Sequence, residues 1–83
     1  MKTPDEKYQN EKFLLFLKEA RQKSGIRQVE LAKQLGVPQS FISKYESGKR
    51  RLDILELRQI CQVIGIPLGD FIRQLEEKLD ETK

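Results

Sequence analysis

Residues 28–50 read QVELAKQLGVPQSFISKYESGKR, and two short helical patterns meet inside them. In the first, Val29, Leu31, Ala32 and Leu35 recur at the spacing of one helix face. Gly36-Val37-Pro38 breaks the pattern. In the second, Ile42 and Tyr45 are placed on an inward face, which leaves Gln39, Ser40, Ser43 and Lys44 pointing out. These carry amide, hydroxyl and ammonium groups, the types that hydrogen-bond to base edges in a DNA major groove. Ser47-Gly48 stops the second helix, and the basic run Lys49-Arg50-Arg51 follows it. A helix, a tight turn, a second helix and a basic loop make the pattern of a DNA-binding helix-turn-helix.

Outward from this stretch, the remaining segments read as helices bounded by local stops. Thr3-Pro4-Asp5-Glu6 has the form of a helix start, with Thr3 as cap, Pro4 at the first helical position and Glu6 as the acid of a capping box. The spacing predicts helix 1 from Pro4 to about Lys23, with Phe13, Leu14, Phe16, Leu17 and Ala20 inward; residues 1–12 alternatively form a polar extension. Ser24-Gly25 ends it, and Ile26 turns back toward the core. Helix 2 starts after Arg27, which offers no acceptor oxygen for a cap, so Glu30 is left to offset the exposed amides through the helix dipole. Pro38 likewise opens helix 3 without a capping oxygen. Asp53 and Glu56 have the spacing of a second helix start. Helix 4 then carries Ile54, Leu57, Ile60, Cys61 and Ile64 inward to Gly65. Pro67 opens helix 5, with Leu68, Phe71, Ile72, Leu75 and Leu79 at helical spacing, and the polar tail over residues 76–83 is expected to fray. The expectation is one all-α domain of five helices over residues 1–83, built on a core of residues 13–75.

Composition narrows the function. The 83 residues form one small domain, whose core is marginal enough for dimerisation to help it. Net charge is +3, but from Ala20 to Arg58 nine Lys/Arg stand against four Asp/Glu, while the two ends together carry an acidic excess. Positive charge is concentrated where a nucleic-acid footprint requires it. There is no histidine and one cysteine, Cys61. That removes an intrachain disulfide, the usual zinc ligands and the commonest general base, and no metal, cofactor or catalytic centre is expected. No apolar run approaches the ~20 residues of a membrane span, and no signal region is expected from the charged first residues. A cytoplasmic location is the simplest reading.

The stretch 28–50, continued by GKRRLDILELRQICQVIGIPLGDFI, resembles the Cro/repressor-type (XRE-type) helix-turn-helix regulators over roughly residues 13–75. The resemblance implies a compact five-helix, lambda-repressor-like domain that binds double-stranded DNA, with Gln39, Ser40, Lys44 and Ser43 as the base-reading side chains. Gln28, Arg27, Arg21, Ser47, Lys49, Arg50 and Arg51 are implied against the DNA backbone. It further implies that Gln28 braces Gln39, that Arg21 and Glu46 form an internal ion pair, and that two copies dimerise through the end of the domain bearing Leu55, Val63, Leu68 and Ile72. No small-molecule effector is expected, since no effector domain is read after helix 5.

Two residues carry alternatives. Phe41, beside the groove-facing surface, either touches a thymine methyl or folds back onto the basic loop near Leu52. Cys61 is read as a small buried hydrophobe rather than a redox-sensing thiol, which needs exposure and a lowered pKa. The function expected is a sequence-specific, dimeric transcriptional repressor on a pseudo-palindromic operator. The rival is a protein-interaction module, antitoxin-like or an adaptor, that keeps the fold with weak or no DNA binding.

Overall fold

Local stops in the chain become the corners of the molecule. The computed structural model describes residues 4–80. They form five helices: α1 Pro4–Lys23, α2 Gln28–Leu35, α3 Gln39–Glu46, α4 Ile54–Ile64 and α5 Leu68–Asp80. Among the described residues there is no strand. Helix 1 takes its longer reading from Pro4; the cap assigned to Thr3 lies outside the described residues. At the turn between α2 and α3, Gly36 adopts φ 72°, ψ 33°. A side chain there would meet the left-handed region that L-residues avoid. Its conformation lets the Val37 amide return to the Ala32 carbonyl at 3.0 Å, which closes α2 and starts α3 two residues later.

Caps hold the other ends. Asp53 Oδ1 accepts the Glu56 amide at 2.7 Å, and Glu56 Oε1 accepts the Asp53 amide at 3.0 Å, a complete capping box for α4. Arg27 achieves half of one. Its guanidinium has no acceptor, but Glu30 Oε1 accepts both the Arg27 amide at 3.0 Å and Arg27 Nε at 3.1 Å. Those bonds hold the Glu30 carboxyl below its ordinary value.

The core draws on every helix. Leu17, Leu31, Ile42, Tyr45, Ile60, Cys61 and Phe71 are fully buried, and Leu14, Ala20, Ala32, Leu57 and Ile64 close around them. Phe16 stacks on Phe71 with ring centroids 5.1 Å apart, while Phe13 meets Phe71 edge-on at 6.2 Å, so α5 is fastened to α1 by aromatic contact. Cys61 sits among these side chains, and burial pushes its thiol up to about 11. The Tyr45 hydroxyl is buried without a hydrogen-bond partner among the described residues, and burial raises its pKa as well.

Three expectations change. Val29 is 46% exposed, because the inward face of α2 is Gln28, Leu31, Ala32 and Leu35, with Val29 about a quarter-turn away. Ile54 is 57% exposed; the α4 stripe begins at Leu57, and the opening turn is held by the capping box instead of by packing. Residues 76–80 continue α5 rather than fraying. Leu75 and Leu79 are half-buried, Leu79 and Phe13 line one cleft between α5 and α1, and Lys12 Nζ donates to the Lys78 carbonyl at 3.0 Å.

Candidate nucleic-acid interface

Helix 3 presents Gln39, Ser40, Ser43 and Lys44 as exposed side chains, because Ile42 and Tyr45 take the inward face. The face is polar and carries no carboxylate. The Ser43 hydroxyl donates to the Ser40 carbonyl at 3.3 Å and the Ser47 hydroxyl to the Lys44 carbonyl at 3.1 Å. Each keeps its oxygen lone pairs for an outside donor.

Beneath this face runs a chain of side chains from three helices. Arg21 of α1 donates Nε to Glu46 Oε2 at 2.7 Å and Nη2 to Glu46 Oε1 at 3.2 Å, and its Nη1 goes to the Ile26 carbonyl at 2.8 Å. Glu46, the last residue of α3, also accepts Gln28 Nε2 on Oε1 at 2.9 Å. Gln28 Oε1 in turn accepts Gln39 Nε2 at 3.4 Å. The ion pair is buried, with the Arg21 and Glu46 side chains 8% and 4% exposed. Gln28 reaches Glu46 because it lies on the same face of α2 as Leu31 and Leu35. The phosphate contact implied for Arg21 is not available in this arrangement: all three guanidinium nitrogens are engaged inside the protein.

A second cluster lies past the end of α3. Gly48 takes φ 84°, and a side chain there would also lie 3.7 Å from Leu14 Cδ1. Lys49 and Arg51 are exposed. Arg50 is not free beside them. Its Nη2 donates to Glu56 Oε2 at 2.8 Å, and its Nη1 to Glu56 Oε1 at 3.1 Å and to the Arg51 carbonyl at 2.7 Å. The guanidinium carbon stands 4.2 Å from the centroid of the Phe41 ring, a cation–π arrangement, and Phe41 meets Tyr45 edge-on at 6.1 Å. Phe41 therefore folds back toward the basic loop. The bidentate bond from Arg50, then the Asp53 amide, hold the Glu56 carboxyl below its ordinary value; the same pair raises Arg50.

Sequence reasoning missed two of these links. The bond from Gln28 to Glu46 joins the start of one helix to the end of the next, and no local pattern announces it. The signal for Arg50–Glu56 was present: a basic residue six positions before the acid of a capping box. The four residues assigned to a dimer contact divide. Leu55 is 67% exposed and Ile72 37%, whereas Val63 and Leu68 are half-buried against the protein's own core.

The fold and this face define a DNA-binding helix-turn-helix transcriptional regulator. The helix-turn-helix family profile matches residues 17–71. A solved XRE-family-like protein from Pseudomonas syringae pv. tomato str. DC3000 is 42% identical, covers 87% of this chain and 88% of its own, and superposes with a TM-score of 0.82. The clp gene regulator ClgR from Corynebacterium glutamicum is 20% identical and shares the fold alone, with a TM-score of 0.76 over 89% of this chain and 79% of that one. No curated protein shows significant similarity. The chain belongs to the XRE-type helix-turn-helix family. No described helix is long and apolar enough to cross a membrane.

Proposed function

We propose that the protein is a dimeric repressor that places α3 of each subunit in the major groove of a pseudo-palindromic operator. The observation that carries this reading is the outward face of α3, where Gln39, Ser40, Ser43 and Lys44 are exposed and Gln39 is tied to Gln28. Gln39 and Lys44 offer the groups that pair with adenine and guanine edges. Gln28, Arg27, Lys49 and Arg51 meet the phosphates on either side, and Ser47 joins them by turning its hydroxyl proton from the Lys44 carbonyl to a phosphate oxygen, giving affinity and register without sequence information. Arg50 acts chiefly by shaping that loop, since Glu56 already holds its charge. A second copy docks through the exposed Leu55 and Ile72, with Val63 and Leu68 behind them. Two recognition helices then lie about one DNA turn, ~34 Å, apart, and bound promoter DNA is closed to polymerase.

Selection of duplexes from a random pool by the purified protein, followed by anisotropy titration of the enriched sequence, tests this. The expected result is an inverted repeat whose affinity falls steeply with salt, and from which Gln39→Ala removes ~1–3 kcal/mol while leaving scrambled DNA little changed. A pool that returns no shared sequence, with no binding even at low salt, would overturn the reading in favour of a protein partner.

A further inference from the structure

Among the described residues, Gln39 is the exposed member of the only side-chain chain that runs from a buried ion pair to the groove-facing surface. We propose that Glu46 sets which way round the Gln39 amide faces the DNA, and so makes adenine the base read there. The proposal rests on the reading that α3 enters the major groove.

The argument uses only donor and acceptor chemistry. A carboxylate paired with a guanidinium accepts hydrogen bonds and donates none. Glu46 Oε1 and Oε2 both receive Arg21, and Oε1 lies 2.9 Å from the Gln28 amide. Gln28 therefore must turn its NH2 toward Glu46, because its carbonyl would meet an oxygen lone pair. Its carbonyl is left facing Gln39, 3.4 Å away. Gln39 must then donate one N–H to Gln28. What it shows the groove is its carbonyl together with its remaining N–H, an acceptor beside a donor. Adenine presents the complement, the N6 donor beside the N7 acceptor, whereas guanine presents two acceptors, O6 and N7. An isolated glutamine turns its amide either way. Here the choice is made at a carboxylate 4% exposed and passed outward through two amides.

Glu46 and Gln28 are thus positioning residues, and their replacement changes base preference in a defined direction. With Glu46→Gln, the new carbonyl stays on Arg21 Nε, the shorter bond, and the new NH2 takes the place of Oε1, where it gives up Arg21 Nη2 and faces Gln28. Gln28 reverses, Gln39 reverses after it, and two N–H donors face the groove. The experiment measures affinity for the selected duplex and for its three single-pair variants at the position that Gln39→Ala flattens. Wild type, Gln28→Leu and Glu46→Gln are compared, with circular dichroism confirming that each is folded. Wild type is expected to favour adenine over guanine roughly tenfold or more at that position. Gln28→Leu, which leaves Arg21 and Glu46 paired, is expected to bring the two bases within a few-fold of each other, and Glu46→Gln to equalise or reverse them. Should Glu46→Gln not fold, Gln28→Leu alone decides. A wild-type preference for guanine, or an adenine preference unchanged in Gln28→Leu, would overturn the proposal while leaving α3 as the reading helix. If Gln39→Ala flattens no position, the reading of α3 fails and takes the proposal with it.

Discussion

Two arginine–glutamate pairs flank the recognition helix, and their geometry is nearly the same. Arg21 meets Glu46 through two bonds of 2.7 and 3.2 Å, and Arg50 meets Glu56 through two of 2.8 and 3.1 Å. Their surroundings differ. The first pair is buried, joins α1 to α3 across 25 residues, and has every guanidinium nitrogen engaged. The second spans six residues, with side chains 37% and 27% exposed. Distance alone therefore says little about what an ion pair does. Charges in a dry interior attract strongly but lose their hydration, so losing one partner strands the other. At the surface, water and salt take over most of the interaction. The buried pair is a structural joint, and the exposed pair is a device for aiming a loop.

The largest expected effect tests that distinction. Glu46→Ala strands Arg21 in the core and removes the acceptor of Gln28, and is expected to cost about 3–5 kcal/mol in a urea titration. Glu56→Gln, measured beside it, should shift the midpoint far less. Equal losses would break the claim that burial separates the two pairs. Tyr45 supplies a counterexample inside the core. Its hydroxyl is buried with no partner among the described residues, so Tyr45→Phe discards a desolvated polar group and keeps the ring. It is expected to stabilise the protein by about 1 kcal/mol, read in the same titration. A loss of stability would mean that the hydroxyl is hydrogen-bonded in solution.

How much of this is legible in the sequence follows the same divide between local and distant. The five helices and most of their ends could be read off, because caps and glycine stops act within a few residues: Asp53 with Glu56, Gly36 after Leu35. The polar face of α3 was legible for the same reason. Spacing gives the direction of a face but not how far a neighbour extends along it, and so Ile54 and Val29 were assigned inward although they are exposed. The last turns of α5 looked like a fraying tail, since what orders them is the cleft against α1, more than sixty residues away. In the site, residue types were readable and their mutual arrangement was not. The Arg21–Glu46 pair came from a family resemblance, and the bond joining it to Gln28 came from neither spacing nor resemblance.

The basic loop sharpens the comparison through salt. Lys49 and Arg51 are exposed, while Arg50 is already neutralised by Glu56. A free cation that meets a phosphate releases a counterion; one that leaves a carboxylate to do so gains less. Replacing Arg51 by Gln should lower the slope of log affinity against log salt by about one, and replacing Arg50 should lower it by less. If Arg50→Gln flattens the slope as much as Arg51→Gln, then Arg50 abandons Glu56 on DNA, and the clamp belongs to the free protein only.

The smallest effect is a dependence on pH. The bond from Arg50 and the Asp53 amide hold Glu56 below the ordinary glutamate value of 4.5. A carboxyl depressed on folding adds stability above its unfolded pKa and loses it as pH falls through the folded one. Glu56→Gln resembles the protonated acid: it keeps an acceptor for the Asp53 amide but not the charge that grips Arg50. Its melting temperature should lie slightly below wild type at pH 7, and the gap should close as pH falls through the lowered folded value, where wild type loses the same charge. In high salt the pH 7 gap should also shrink, because both side chains are in reach of solvent. A gap that persists at low pH would place the cost in the geometry of the capping box, not in the pairing of Arg50 with a charge.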